Sequence, residues 1–225
     1  MARRNGSSTL SEAVLKNLKT DILSGRYEPG APLTVSELAQ KFNVSIAVVR
    51  EALTQLTSHG LVIKTPNYGF TVKTVSEVEL DNLIETRLIN ESAALRLSIA
   101  NGDLTWEANV IAAHHKLAQT PEYTDFNQKS VISEEWSEAH GQFHYSLISA
   151  CNNPILLDMC KRLWDLSQLY RHWSIPQMPD RDFHTEHKLL LSTVLERDSD
   201  RAVELFKEHI QLTADILLNN NDSKA

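Results

Sequence analysis

The chain is 225 residues long, 42% hydrophobic and 23% charged, with a formal net charge of −7. That length and composition leave room for one large domain or two small ones with buried cores, and exclude disordered, collagen-like and disulfide-stapled chains. The charge is unevenly divided: residues 1–75 hold 9 Lys and Arg against 5 Asp and Glu, net +4, and residues 76–225 hold 13 against 24, net −11. Histidine is skewed too, with His59 in the first part and the other eight of nine in the second. Two domains are expected, residues 1–75 for a polyanion and residues 76–225 for something that histidines hold.

In chain order, Leu10, Val14, Leu15, Leu18, Ile22 and Leu23 form one helical face that ends at Ser24-Gly25. Tyr27-Glu-Pro-Gly30 reads as a turn, with Gly30 in the left-handed region. Thr34-Val-Ser-Glu37 fits a capping box ahead of a short helix through Leu38, Ala39 and Phe42. After Asn43-Val44, Ser45 is placed to cap a third helix whose buried stripe is Val48, Val49, Ala52, Leu53 and Leu56, stopped by Gly60. Leu61-Val-Ile63 and Phe70-Thr-Val72, separated by a turn-rich segment, predict a hairpin. Three helices and a hairpin make a winged helix-turn-helix, whose third helix is shaped for a major groove.

Beyond Ser76 the pattern is helical throughout, with six helices expected at about 77–100, 103–119, 124–150, 154–173, 181–197 and 199–218. Short connections imply an antiparallel all-α bundle, where ligand sites form between facing helices. The fold class is therefore mainly α, a winged helix-turn-helix followed by a bundle. The tail from Asn219 is expected to fray. Cys151 and Cys160 have no metal or redox spacing and read as buried apolar thiols. No stretch approaches the roughly 18 apolar residues of a membrane span, and Met1-Ala-Arg-Arg4 is not followed by an apolar core. A soluble, cytoplasmic protein with no membrane partner is expected.

The run Gly25-x3-Pro29-Gly30-x2-Leu33, then Leu38-Ala39, then Val44-Ser45-x3-Val49-Arg50-Glu51-Ala52-Leu53-x2-Leu56-x3-Gly60-Leu61-Val62, then Gly69-x2-Val72, resembles the DNA-binding domain of the GntR family of bacterial transcription regulators. The resemblance covers residues 10–73 and implies a double-stranded operator as partner. The DNA-facing residues it implies are Ser36, Ser45, Ile46, Ala47 and Arg50 on the helices and Lys64, Tyr68 and Gly69 on the wing. Lys73 flanks the wing, and Arg3-Arg4 form a basic arm. The alternative for each charge is a solvated surface residue. Where the family usually carries an arginine after the capping serine, this chain has Ile46. An isoleucine cannot make a bidentate contact to guanine but can pack on a thymine methyl.

The second region holds Arg87-x3-Glu91, His140-x2-Phe143-His144-x2-Leu147-x5-Asn153-Pro154, Glu186-His187-x2-Leu190 and Glu208-His209. It resembles the FCD domain of the FadR-type branch, in a shorter, VanR-like form. The resemblance implies a homodimer, a small organic-acid effector, and a divalent transition metal held by an Asp and three histidines. The histidines fall on His144, His187 and His209, and the Asp position is His140. Spacing of four residues puts His140 and His144 on one helix face. Four imidazoles suit Zn or Ni over Mg or Ca. The lesser alternative is a lineage that has lost the metal, with the histidines hydrogen-bonding an effector. Arg87, Glu91, Arg171 and His184 are the effector-binding candidates, with an intrahelical ion pair as the alternative for Arg87 and Glu91. His114, His115 and His172 read as core or surface residues, and Trp136, Trp164 and Trp173 as core or pocket wall.

The expected function is a dimeric regulator, by default a repressor, that reads a pseudo-palindromic operator and answers to a metabolite in the bundle. A metal-dependent enzyme is the competing class, yet HExxH is absent and four protein ligands would close a tetrahedral metal. A third reading is a DNA-binding protein whose bundle serves dimerisation alone.

Overall fold

A computed structural model describes residues 9–74, 76–123, 133–174 and 181–219, the side chains of 171–174 and 214–219 excepted. The Arg3-Arg4 arm, residues 175–180 and the extreme tail lie outside the described residues. The chain divides into two compact units, Met1–Ser76 and Glu77–Ala225.

In the first unit, helix α1 (Leu10–Leu23) opens on a capping box: Glu12 N–H donates to Thr9 Oγ1 at 3.2 Å and Thr9 N–H donates to Glu12 Oε2 at 2.7 Å. Its face Val14, Leu18 and Ile22 is buried, while Leu10 is exposed. The capping box expected at Thr34–Glu37 does not form. Helix α2 (Val35–Phe42) follows an exposed Thr34 that makes no side-chain cap bond, so water can serve those amides, and α2 is held by burying Leu38 and Ala39. Asn43, left-handed at φ 52°, turns the chain into α3 (Ile46–Ser58), capped by Ser45 and buried along Val49, Ala52, Leu53 and Leu56. Gly30 sits at φ 80°, as its turn requires.

Strands β1 (Val62–Thr65) and β2 (Gly69–Val72) pair antiparallel, from Val62 opposite Val72 to Thr65 opposite Gly69. They reach further toward the turn than the apolar runs suggested, because the ladder is made by backbone and tolerates exposed Lys64 and Thr65. Asp21, buried at the end of α1, accepts from Arg26 and from Lys41 of α2, each at 2.7 Å. This tie raises the Lys41 pKa, chiefly through the hydrogen bond to Asp21.

The second unit contains α4 (Glu77–Asn101), α5 (Leu104–Gln119), α6 (Glu134–Ile148), α7 (Pro154–Ser174), α8 (Phe183–Leu195) and α9 (Ser199–Asn219). Helix α6 starts ten residues later than expected. Ser133 is extended (φ −68°, ψ 143°) and its Oγ accepts from Trp136 N–H at 3.0 Å, which fixes the helix start at Glu134. Residues 124–132 are outside the description. Helix α4 packs on α7 and α9, α5 on α6 and α8, and α8 on α9. Leu95, Val110, Phe143, Leu147, Leu190, Val194 and Phe206 are among the buried core. Gly102 sits against Trp106, whose indole N–H donates to the Ser146 carbonyl at 2.8 Å. Both cysteines are buried and free, and the Cys160 thiol is pushed up to about 12, by burial first and then by Glu91. Among the described residues no helix is long and apolar enough to cross a membrane.

Candidate metal centre and nucleic-acid face

Helix α6 presents His140 and His144 one turn apart, α8 presents His187 and α9 presents His209. All four are buried, and one ligating atom from each lies within 4.8 Å of the others. His140 Nε2 and His144 Nε2 are 3.1 Å apart. His187 Nε2 is buried without a hydrogen-bond partner. Burial, then the neighbouring His209, drives the His187 pKa down to about 2, so this imidazole is neutral and holds a lone pair. Converging imidazoles, with the neutral His187 and its orphaned nitrogen among them, fit a divalent transition metal, whose Zn–N bonds run about 2.0–2.1 Å. Among the described residues no carboxylate belongs to the group.

Aromatic side chains wall the group off. Trp136 stacks on His140 at 4.8 Å and 10°, and Trp164 tilts against His140 and His144 at 5.5 and 5.3 Å. Gly141 admits Trp164 to the surface of α6: a Cβ there would stand 3.3 Å from the indole. On the outer side, His209 Nδ1 lies 2.7 Å from Glu186 Oε2. Arg181, absent from the sequence reading, holds Glu186 through two hydrogen bonds of 2.7 and 2.6 Å. Burial pushes the Glu186 pKa up, but the bonds from Arg181 and His209 outweigh it and bring it to about 2. Sequence spacing signals Glu186 only as the neighbour of His187; its reach to His209 depends on α8 lying against α9.

Arg87 and Glu91 form a buried bidentate pair at 2.6 and 3.1 Å. The Arg87 guanidinium lies 5.3 Å over Trp164, the same indole that borders the histidines. His184 is not brought into the group; it is exposed on α8, with its ring 6.4 Å from that of His114. His114 is half-buried and its pKa is lowered, by burial first, while His115 is exposed. The side chains of Arg171, His172 and Trp173 lie outside the described residues.

In the first unit Ser36, Ser45, Ile46, Ala47 and Arg50 are all exposed. Ser45 Oγ accepts from Val48 N–H at 3.4 Å, leaving the first amides of α3 free for a phosphate. Ile46 and Arg50, four residues apart, share a face of α3. Ile46 is 51% exposed. On the wing, Lys64 is exposed with its Nζ 5.8 Å over Phe70, and Tyr68 is 87% exposed at the tip. Gly69 has φ 94° and open space around it. Lys73 is half-buried.

Residues 10–72 match the family profile described as bacterial regulatory proteins, gntR family, and residues 82–212 match the FCD domain. The chain belongs to the GntR family. It is a DNA-binding transcription regulator with an FCD domain, which sets aside the metal-dependent enzyme. BphR of Paraburkholderia xenovorans, described as an uncharacterized HTH-type transcriptional regulator, is 33% identical over 93% of this chain and 85% of its own. GlaR of Escherichia coli, an HTH-type transcriptional repressor, is 34% identical over 86% of this chain and 89% of its own. Among solved structures, McbR of Escherichia coli superposes with a TM-score of 0.79 at 25% identity, covering 96% of this chain and 100% of that one.

Proposed function

We propose that this GntR-family protein is a dimeric repressor that binds a pseudo-palindromic operator and responds to a small carboxylate at a metal site of His140, His144, His187 and His209. The observation that carries the reading is the buried four-histidine group in a regulator's FCD bundle. Four nitrogen donors favour Zn or Ni over Mg or Ca. A bound divalent cation supplies a positive, Lewis-acidic centre for an anion. The chain's own residues do the rest. Trp136 and Trp164 exclude water from the histidines, and the guanidinium of Arg87, paired with Glu91, backs Trp164.

Repression is supported by the similarity to GlaR. On the operator, Arg50 reads a base edge or phosphate, Ile46 packs on a thymine methyl, and Lys64, Tyr68 and Gly69 bring the wing against the backbone. The work is cytoplasmic, where the operator lies. Coupling of about 1–3 kcal/mol between effector and DNA would change operator affinity roughly 5–150-fold.

The test is metal analysis of the purified dimer followed by operator binding with and without small carboxylates. Bound Zn or Ni and a carboxylate-dependent loss of operator affinity are expected. A metal-free protein indifferent to every carboxylate would overturn the reading and leave the bundle as a dimerisation platform.

A further inference from the structure

We infer that Glu186, which lies outside the four-histidine group, sets the metal affinity of that group by fixing the proton of His209; the inference rests on the metal reading above. The four ligating side chains are imidazoles, which carry no negative charge, so nothing among them offsets the two positive charges of a divalent cation. Glu186 is a carboxylate that touches the group. Its Oε2 lies 2.7 Å from His209 Nδ1, and Arg181 Nη2 lies 3.2 Å from the same nitrogen.

Donor and acceptor chemistry resolves this crowded nitrogen. A guanidinium can only donate, and an ionised carboxylate can only accept. Arg181 already gives Nε–H to Oε1 at 2.7 Å and Nη2–H to Oε2 at 2.6 Å, so Glu186 is the anionic half of an ion pair. The short bond to His209 is therefore Nδ1–H donating to Glu186, and Arg181 makes no hydrogen bond to a ring lone pair there. With its proton on Nδ1, His209 keeps a lone pair on Nε2, the nitrogen left for the metal. The carboxylate also raises the basicity of the ring and holds its orientation.

Arg181 makes this geometry rigid. It donates to Thr213 Oγ1 at 2.8 Å and to the His209 carbonyl at 2.9 Å, and its guanidinium lies 4.5 Å over Phe183. Its side chain is 6% exposed, against 24% for Glu186. Glu186 is thus a positioning residue whose effect on the metal passes through His209.

The experiment measures Ni2+ affinity of the full chain against a chromophoric chelator, for wild type, Glu186→Gln, Glu186→Asp and the control Glu208→Gln, whose parent residue is exposed beside His209. In parallel, nitrogen-15 NMR of the metal-free wild type reads the His209 tautomer. The expected results are an Nδ1–H tautomer, a loss of Ni2+ affinity of roughly 10–100-fold in Glu186→Gln, partial rescue in Glu186→Asp, and no change in Glu208→Gln. An Nε2–H tautomer overturns the inference, as does a Glu186→Gln protein that melts lower yet binds Ni2+ as the wild type does. Failure of the wild type to bind Ni2+ would instead overturn the metal reading, and the tautomer would still decide the bond to Glu186.

Discussion

The Nε2 atoms of His140 and His144, one turn apart on α6, face each other across 3.1 Å. Two lone pairs repel at that distance, so the pair needs a shared proton or a cation between its members. A cation bound only to the native state stabilises by mass action, about 2.7 kcal/mol at a hundredfold excess over Kd. Adding Ni2+ or Zn2+ should therefore raise the melting temperature of the wild type. The double variant His144→Ala, His187→Ala should lose both the metal and this increment. Metal content unchanged in the double variant would remove these histidines from the ligand set.

Acid should weaken the metal-free bundle through His187. Its folded pKa is about 2 against an ordinary 6.5, with burial the main cause. Between those values the unfolded chain binds a proton that the folded chain refuses, so stability falls as pH drops from 6.5 toward 2 and is fully present above 6.5. Urea unfolding across this window should show a shallower loss for His187→Gln than for the wild type. Parallel slopes would show that other groups carry the acid sensitivity.

Arg50 is exposed on α3, so Arg50→Ala should leave the melting temperature unchanged while cutting specific operator binding by about 1–3 kcal/mol. Gel-shift titration against operator and scrambled DNA separates this from a general loss of affinity. Retention of full specificity in Arg50→Ala would dismiss the assignment.

Ile46 is the chain's departure at the start of the same helix. Ile46→Arg should add a guanine contact, so site selection with the variant should return guanine where the wild type returns thymine. The same selected sequence from both proteins would show that residue 46 does not read DNA.

Gly102→Ala should destabilise the bundle. The added methyl would overlap the Trp106 ring, which is also held by its bond to Ser146 and lies under Arg197 at 5.1 Å. Overpacking of this kind costs about 1–3 kcal/mol. Calorimetry should show a lower transition for the bundle, and an unchanged one would mean that Trp106 moves aside freely.

The elements were legible where the signal is local. The apolar stripe of α3, the turn glycine Gly30 and the six bundle helices follow from periodicity and backbone chemistry that neighbouring residues express by themselves. The start of α6 was misread because its cap is a single serine, Ser133, within an otherwise helix-compatible stretch. The Thr34 capping pattern misled for the converse reason: the residue types are right, but the hydroxyl makes no bond.

By itself the sequence determined the two-part organisation, the winged helix and the presence of histidines at metal-ligand spacing on one helix, because each depends on composition or on the pitch of a helix. The family resemblance named His140, His144, His187 and His209, but only the tertiary structure brings them within reach of one another. His184 is three residues from His187, yet it faces outward, while His209, twenty-two residues away, joins the group because α9 packs along α8. The same packing seats Arg181 and Glu186 behind His209. Helix pitch sets the face that a side chain occupies, and only the packing of one helix on another sets what that face meets.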